Sequence, residues 1–184
     1  MNFTLEKIAT ELNKANILWG LGGSKLLDCY HLIESVNDID ILIVESDIKQ
    51  AENIFSIIAT EQKAISKEPF ATKHFRTYTH ARTSIDVMAG FQIHHPKGLY
   101  TMEFDRLSLT DSTYINDTYI PLSSLEDWYI LYTLIPRKQY KADLIEAHWK
   151  KYGIQHPYLI TRSLKKSLPS PLRTRLQTIL LQHS

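Results

Sequence analysis

Three aspartates of this 184-residue chain lie in short apolar segments, where their carboxylates could meet. Asp38 and Asp40 alternate with isoleucine in the run Asp38-Ile-Asp-Ile-Leu-Ile-Val44, and Asp86 stands in a second apolar run. Because successive side chains of a β-strand point to opposite faces, Asp38 and Asp40 share one face and the isoleucines share the other. If the second run pairs beside the first, all three carboxylates converge at one edge of a sheet.

Such a cluster of anions predicts a bound cation. Like charges about 4 Å apart repel by several kcal/mol at an effective dielectric near 20, unless a positive charge joins them. Carboxylate oxygens are the ligands that Mg²⁺ prefers, and water or phosphate fills its remaining positions. We therefore interpret Asp38, Asp40 and Asp86 as a magnesium site.

A Gly-Gly-Ser sequence at residues 22–24 precedes Asp38, with thirteen residues between Ser24 and Asp38. Glycines let a backbone approach a phosphate closely, and the Ser24 hydroxyl and the N–H groups at a helix start can donate hydrogen bonds to it. Taken singly, a Gly-Gly-Ser turn usually only connects two elements, and an Asp-x-Asp pair often caps a loop. The combination with Asp86 favours metal-assisted transfer from a nucleoside triphosphate.

The run Trp19-Gly-Leu-Gly-Gly-Ser24, followed by the Asp38 run and by Ser84-Ile-Asp86-Val, resembles the minimal nucleotidyltransferases. These include the aminoglycoside and lincosamide nucleotidyltransferases and toxin-type relatives. The resemblance covers residues 17–145 and passes through Ile120-Pro-Leu-Ser-Ser-Leu-Glu126. It implies an α/β (α+β) fold, in which a mixed sheet is flanked by helices and followed by a helical C-terminal part.

The same resemblance implies roles for individual residues. Gly22, Gly23 and Ser24 would hold the triphosphate. Asp38 and Asp40 would bind Mg²⁺, in a site that takes two metal ions. Asp86 would complete the metal site, or would serve as the base that takes a proton from the acceptor hydroxyl.

Two departures from the family pattern concern the residues that bind the nucleotide. Many relatives carry an Arg or Thr shortly before the aspartate pair, where this chain has Val36-Asn37. In an ungapped match, Gln139 takes the place of a lysine on a later helix. Lys138 or Lys141 could replace it as the phosphate-binding cation, and we assign that role to Lys141.

We expect the protein to transfer a nucleoside monophosphate, AMP above all, from a nucleoside triphosphate to a hydroxyl of a small molecule. Two alternatives stay open. Transfer to tRNA or to a protein, as in toxin-type relatives, would draw on basic residues of the C-terminal helices, although a solvated helix face is the commoner explanation of such residues. A non-catalytic binding module would keep the fold without the activity; Gln139 favours it, and the three aspartates argue against it. The basic residues are Arg162, Lys165, Lys166, Arg173 and Arg175.

Hydrophobic periodicity predicts the elements that must position these residues. Helices are expected over residues 4–16, 24–32 and 48–60, with Thr4, Ser24 and Asp47 at their N-termini. Strands are expected over residues 17–19, 38–44 and 118–122, with a further pair inside 70–91 that turns near Arg82-Thr83. Ser123-Ser-Leu-Glu126 reads as a capping box that opens helices over 124–135, 138–152, 157–167 and 170–182. We expect a nucleotidyltransferase core in residues 1–122 and a helical region, packed on it, in residues 123–184.

Composition excludes several other classes. The net charge of +1 gives no general basic excess for nucleic acid. The single cysteine, Cys29, allows no intrachain disulfide and no cysteine-based metal cluster. No run approaches the roughly 18–20 apolar residues of a membrane span. The N-terminal segment carries Glu6 and Glu11 and lacks a basic start followed by an apolar run, so we expect no signal peptide. We expect a cytoplasmic protein, for which an oligomeric state remains open.

Three further groups have a functional and a structural interpretation. The histidine pairs His94-His95 and His74/His80 match no zinc motif, and these residues are expected at the surface or lining an acceptor pocket. Cys29 is expected to be a buried structural thiol rather than a nucleophile. Aromatic residues after residue 123 could stack on a base, but their helical spacing favours packing of the helix onto the core. These aromatic residues are Trp128, Tyr129 and Tyr132.

Overall fold

The computed structural model describes residues 1–64 and 67–182, and within these ranges the chain forms nine strands and seven α-helices. The strands are β1 (Trp19–Gly22), β2 (Asp38–Ile43), β3 (Thr60–Gln62), β4 (His74–His80), β5 (Thr83–Ala89), β6 (Gln92–His95), β7 (Gly98–Thr101), β8 (Leu109–Ile115) and β9 (Thr118–Ser123). The helices are α1 (Asn2–Lys14), α2 (Gly23–Cys29), α3 (Ile48–Ile58), α4 (Leu125–Leu134), α5 (Gln139–Tyr152), α6 (Pro157–Ser163) and α7 (Ser170–Gln182).

Seven strands form one mixed sheet in the order β3-β4-β5-β2-β1-β9-β8. The central strand β2 runs antiparallel to β1 and parallel to β5, and β1 runs parallel to β9. Strands β6 and β7 form a separate two-stranded sheet. The mixed α/β architecture predicted from the sequence is confirmed.

The two faces of the sheet have different partners. The isoleucines of β2 are fully buried on the face covered by α3, where the Phe55 ring stacks on Tyr78 with their centroids 5.0 Å apart. Tyr78 pairs with Ile85, which pairs in turn with Ile39, so these three residues mark the core face. The other face carries the aspartates, and α2 and α4 border it.

Several predicted boundaries were wrong by a few residues. Helix α1 begins at Asn2, and Thr4 is buried inside its first turn rather than capping it; its hydroxyl instead donates to the His80 carbonyl at 3.3 Å. Strand β1 continues to Gly22 instead of ending at Gly20, because both glycines pair with β2 in extended conformation. Asp47 does precede α3, but its carboxylate accepts from the backbone N–H of Leu18 at 3.0 Å.

Helix α4 has an N-cap one residue later than predicted, and the predicted reciprocal contact of a capping box is replaced by two hydrogen bonds between Ser124 and Asp127. Ser124 is the N-cap, and its hydroxyl accepts from the backbone N–H of Asp127 at 3.0 Å. Ser123 is the last residue of β9, where its hydroxyl donates to the Leu21 carbonyl at 2.6 Å. Glu126 is buried and accepts from the backbone N–H of His156 at 3.1 Å.

A buried ion-pair network joins α4 to α6. Arg162 contacts Asp105 at 3.0 Å and the buried carboxylate of Asp127 at 3.6 Å, and it also donates to the Glu103 carbonyl and the Ser108 hydroxyl. Burial raises the pKa of Asp127 to about 7, although Arg162 acts to lower it. The guanidinium is therefore the main compensation for a carboxylate that water does not reach.

We predict that Arg162→Met destabilises the protein by about 3–5 kcal/mol at pH 8, since it leaves Asp127 charged and buried without a cation. Because the folded pKa of Asp127 is raised, its contribution to stability is complete below about pH 4 and is lost as the pH rises through about 7. The loss caused by Arg162→Met should therefore be smaller at pH 5 than at pH 8. Urea denaturation at both pH values measures this.

The double variant Arg162→Met/Asp127→Asn is the control for charge, because it removes the uncompensated carboxylate and should regain part of the lost stability at pH 8. Equal losses at the two pH values, or no recovery in the double variant, would show that Arg162 stabilises the protein through packing and its other hydrogen bonds rather than by compensating the charge of Asp127.

Candidate functional site

The register of three strands brings the predicted site residues together. Asp40 lies opposite Gly22 on one side, across the antiparallel ladder with β1, and opposite Asp86 on the other, across the parallel ladder with β5. Asp38 pairs with Ser84, one pleat further along the same face. The predicted pairing of the Asp86 strand beside the Asp38 strand is thus present, and Ser24 lies two residues after the end of β1, in the first turn of α2.

Neither glycine before Ser24 has room for a side chain. Gly23 has a φ of +60°, and a β-carbon on it would overlap the Asp40 carboxylate. A β-carbon on Gly22 would overlap the indole ring of Trp128. The two glycines were predicted to form a turn, whereas Gly22 ends β1 and Gly23 begins α2. They let the helix start against the carboxylates.

The carboxylates are placed where a negative charge is disfavoured. Loss of hydration and the neighbouring charges of Asp38 and Asp86 raise the pKa of Asp40 to about 8, although Lys141 and the backbone of Ser24 act in the opposite direction. Burial also raises the pKa of Asp86, although a hydrogen bond from Thr77, 2.9 Å long, lowers it. The protein alone supplies too little positive charge for three ionised aspartates.

The three aspartates border one cavity, but their side chains do not converge on one point. Among residues 1–64 and 67–182, no three His, Cys, Asp or Glu side chains are arranged as a ready metal-ligand cluster. The chemistry of the donors nevertheless fits Mg²⁺, because three carboxylates share one face and the mutual repulsion of their charges is a principal reason for the raised pKa of Asp40. A divalent cation would relieve that repulsion.

Lys141 approaches the site from α5. It is almost fully buried, and its ammonium group donates a hydrogen bond to the Ser24 hydroxyl and lies 5.1 Å from the centre of the Tyr132 ring. Burial and the neighbouring Lys138 lower the pKa of Lys141, although Asp40 and Asp38 favour its charged form. The assignment of Lys141 as a cation beside Ser24 agrees with this geometry.

Tyr132 was considered from the sequence for base stacking or, by preference, for core packing, but its buried hydroxyl beside the cavity was not predicted. It packs against Trp128 with ring centroids 5.3 Å apart, as its helical spacing predicted, and only 3% of its surface is exposed. Its hydroxyl is nevertheless buried without a hydrogen-bond partner among the residues that the structure describes, and the residue lines the cavity. Ser24 is close enough to affect the pKa of Tyr132, which burial raises, but lies outside hydrogen-bond geometry. Helical spacing predicts which side of a helix a residue faces, but not the surroundings of the hydroxyl at the end of its side chain.

The cavity has a volume of about 870 Å³. Small-molecule sites usually measure roughly 300–1,000 Å³, so it is large for a single ligand. It is bounded by Ser24 and Lys141 on one side, by the aspartates on its floor, and by Phe75, Met88 and Phe91 on the other side. Sites of this kind combine apolar walls with a few polar groups that orient the ligand.

Gln139 takes no part in this cavity. Its side-chain amide donates to the carbonyls of Thr133 and Ile135, at 3.3 and 3.0 Å, and so satisfies the C-terminal end of α4. Lys138 lines the cavity together with Lys141. The positive charge that relatives place at the Gln139 position therefore has counterparts one residue before it and two residues after it.

The other candidate residues have structural roles. Cys29 is partly buried against the core, and burial raises the pKa of its thiol. The uncharged thiol is therefore favoured over the reactive thiolate, which agrees with a structural role. His80 contacts Thr4, and His95 contacts the Ser167 carbonyl at 3.2 Å. Four of the five basic residues form contacts within the chain: Arg162 with Asp105, Lys166 with Glu103, Arg175 with Glu146, and Arg173 with the carbonyls of Leu164 and Lys166. Arg162 is largely buried, against the prediction of a solvated face, whereas Lys165 and Arg175 are exposed as predicted.

In the described ranges, every helix is too short or too polar to cross a lipid bilayer. No protein-family model and no curated protein matches the sequence. Solved structures do match. A candidate nucleotidyltransferase from Thermotoga maritima superposes with a TM-score of 0.60 at 23% identity, over 80% of this chain and 91% of that one. The chain has the nucleotidyltransferase fold.

Two antibiotic-modifying proteins share the fold. ANT(2'')-Ia, solved in complex with adenylyl-2''-tobramycin, matches at a TM-score of 0.52 and 11% identity, over 82% of this chain and 97% of that one. The lincosamide antibiotic adenylyltransferase LnuA, solved with lincomycin, matches at a TM-score of 0.51 and 15% identity, over 79% of this chain and 96% of that one. The predicted fold is confirmed.

We predict that Asp40→Asn stabilises the metal-free protein at pH 9. Because the folded pKa of Asp40 is raised to about 8, its favourable contribution is complete below about pH 4 and is lost as the pH rises through 8. The asparagine escapes that loss, so the variant should gain at least about 1.4 kcal/mol, the equivalent of one pKa unit. Denaturation in the presence of a chelator at pH 5 and pH 9 measures the gain.

Asp117→Asn, at an exposed turn position, is the matched control and should change stability little at either pH. If Asp40→Asn were less stable than the wild type at pH 9, the carboxylate would already be compensated by the protein.

Proposed function

We propose that this protein is a nucleotidyltransferase, which transfers a nucleoside monophosphate from a nucleoside triphosphate to a hydroxyl group of a small molecule. The main support is the strand register, which sets the Gly-Gly-Ser segment against Asp40 and sets Asp40 against Asp86 in one cavity. The shared fold supports it further, because one structure with that fold is an adenylyltransferase and another holds an adenylyl product. We take AMP as the transferred group on the same ground.

The binding roles follow from position. Ser24 and the backbone at Gly23 would hold the triphosphate, with Lys141 as the cation beside it. Asp38 and Asp40 would hold Mg²⁺. Asp86 lies beside them and would act as a base rather than as a metal ligand. When bound, Mg²⁺ would neutralise the clustered charges and polarise the phosphate oxygens.

Asp86 would act as the general base. Its carboxylate takes the proton of the acceptor hydroxyl, while the acceptor oxygen forms a bond to the α-phosphorus. The bond from that phosphorus to the oxygen bridging to the β-phosphate breaks, and pyrophosphate leaves with the electron pair. The raised pKa of Asp86 brings it closer to working pH than an exposed aspartate, and Thr77 fixes the orientation of its carboxylate.

The transfer to a small molecule is favoured over transfer to RNA. Arg162, Arg173 and Arg175 are committed to contacts within the chain, so the basic surface expected for phosphate binding is reduced. We also propose, from the position of β9 and α4, that the nucleotidyltransferase core spans residues 1–122 and the helical region spans 123–184. A cytoplasmic location belongs to the same proposal, since nucleoside triphosphates are available there.

The decisive experiment is thermal unfolding with each nucleoside triphosphate, with and without Mg²⁺. A triphosphate at about 100 times its dissociation constant should add roughly 2.7 kcal/mol, and only when Mg²⁺ is present. The shift should disappear in Asp38→Asn/Asp40→Asn and weaken strongly in Lys141→Ala, but persist in Lys165→Ala, which changes an exposed lysine. No shift with any triphosphate at millimolar concentration would refute the proposal.

We predict that Tyr132→Phe has opposite effects on stability and on nucleotide binding. Removing a buried hydroxyl without a partner should stabilise the free protein by about 1 kcal/mol. If the hydroxyl donates to the bound triphosphate, the same change should weaken nucleotide binding about tenfold. Calorimetric titration and urea denaturation measure the two effects.

Tyr129→Phe is the matched control, because the Tyr129 hydroxyl donates to Glu146 and does not line the cavity. It should leave nucleotide affinity unchanged. Unaltered affinity in Tyr132→Phe would mean that its hydroxyl does not reach the ligand.

A further inference from the structure

We infer that the acceptor is an uncharged small molecule with an aromatic or apolar face next to its reactive hydroxyl. This inference rests on the proposed function and assigns the wall of the cavity beyond Asp86 as the acceptor site. It is carried by the strand register, by the arrangement of aromatic rings and by the distribution of charge.

The register continues the carboxylate face into an apolar surface. Met88 lies two residues after Asp86 on β5 and therefore points to the same face. Across the antiparallel ladder, Thr77 pairs with Asp86 and Phe75 pairs with Met88. The proposed base is thus followed on its own face by a Phe75–Met88 pair, and both of these residues line the cavity.

Aromatic rings close this surface from the other side. Phe91 forms edge-to-face contacts with Phe70 and Trp128, with ring centroids 6.2 and 6.3 Å apart. All three residues line the cavity. Together with the Phe75–Met88 pair they form what we name the apolar wall: Phe70, Phe75, Met88, Phe91 and Trp128. Flat or apolar ligands gain binding energy on such walls by stacking and by loss of hydrated surface.

The order of the strands sets the Phe75–Met88 pair of the apolar wall on the side from which an acceptor must attack, whereas Trp128 lies against Gly22 on the β1 side. Ser24 and Lys141 lie beyond Asp40 on the β1 side of the sheet, whereas Phe75 lies beyond Asp86 on the β4 side. In phosphoryl transfer the attacking and leaving oxygens are roughly in line. With pyrophosphate held at Ser24 and Lys141, the acceptor oxygen approaches from the opposite side, where Asp86 receives its proton.

The charges argue against a polycationic acceptor. None of the five residues of the apolar wall is charged. The charged residues that line the cavity belong to the aspartate floor or to the Lys138 and Lys141 side, apart from Glu34 and Lys67, which are both exposed. Apart from the aspartates, which we assign to Mg²⁺ and to proton transfer, the described residues of the cavity lining offer a polycation one carboxylate, that of the exposed Glu34, while Lys67, Lys138 and Lys141 would repel it. In this respect we expect the substrate to differ from an aminoglycoside such as tobramycin.

The test compares two alcohols of opposite character by calorimetric titration, each with and without ATP and Mg²⁺. We expect 1-naphthalenemethanol to bind with a dissociation constant of about 1 mM or tighter, and tobramycin to bind more weakly. Phe75→Ala should weaken binding of the naphthyl alcohol about tenfold and leave the ATP affinity within about twofold. Phe3→Ala, which removes an exposed ring from α1, should change neither affinity.

The result can separate this inference from the proposed function. If ATP does not bind the wild type, the proposed function fails whatever the alcohols do. If ATP binds but Phe75→Ala weakens the binding of ATP instead of the binding of the alcohol, the apolar wall holds the adenine ring of ATP and the inference is overturned. Tighter binding of tobramycin than of the naphthyl alcohol also overturns it. Phe75→Leu, which keeps an apolar side chain of similar size, should lose less affinity and guards against a folding defect in the alanine variant.

Discussion

The pairing of β2 with both of its neighbours determines where the three aspartates lie relative to one another and to the glycine segment. Asp40 is opposite Gly22 on one side and Asp86 on the other, so a shift of one residue in either ladder would turn the carboxylates into the core. The buried isoleucines between them prevent such a shift, because their alternation allows only one orientation of the strand. The same residues that make the core thus fix the geometry of the site.

The site concentrates negative charge, and the chain itself supplies too little positive charge to balance it. Asp40 is surrounded by two further carboxylates, the Lys141 ammonium group is buried, and the Tyr132 hydroxyl has no partner. Each of these arrangements lowers the stability of the free protein, and under the proposed function a cation and a phosphate would compensate them. Proteins tolerate such groups mainly where a ligand completes them. By contrast, the buried Asp127 has Arg162 within 3.6 Å and therefore needs no ligand.

The sequence predicted the centre of the fold and the position of the carboxylates, because both depend on local alternation. Asp38 and Asp40 had to share a face, and the isoleucines allowed only one side for the core. Features that depend on distant contacts were not predicted. Ser123 was expected to cap a helix, but its hydroxyl donates a hydrogen bond to the carbonyl of Leu21, which is 102 residues away in the chain. Arg162 was expected on a solvated face, and its acceptors come from segments 54 to 59 residues away. Strands β3, β6, β7 and β8 lack the apolar alternation that marks β2, and they were missed for that reason.

The contact between Gly22 and Trp128 has a consequence for observing this protein in solution. Of the three tryptophans, Trp19 and Trp149 are fully buried and do not line the cavity, whereas the indole of Trp128 lies against Gly22 and faces the cavity. Its ring nitrogen is held by Ser123 at 2.8 Å, so the ring cannot turn away. The chain therefore carries an intrinsic fluorophore at the point where the apolar wall meets the glycine segment. Its emission reports occupancy of the cavity without a label.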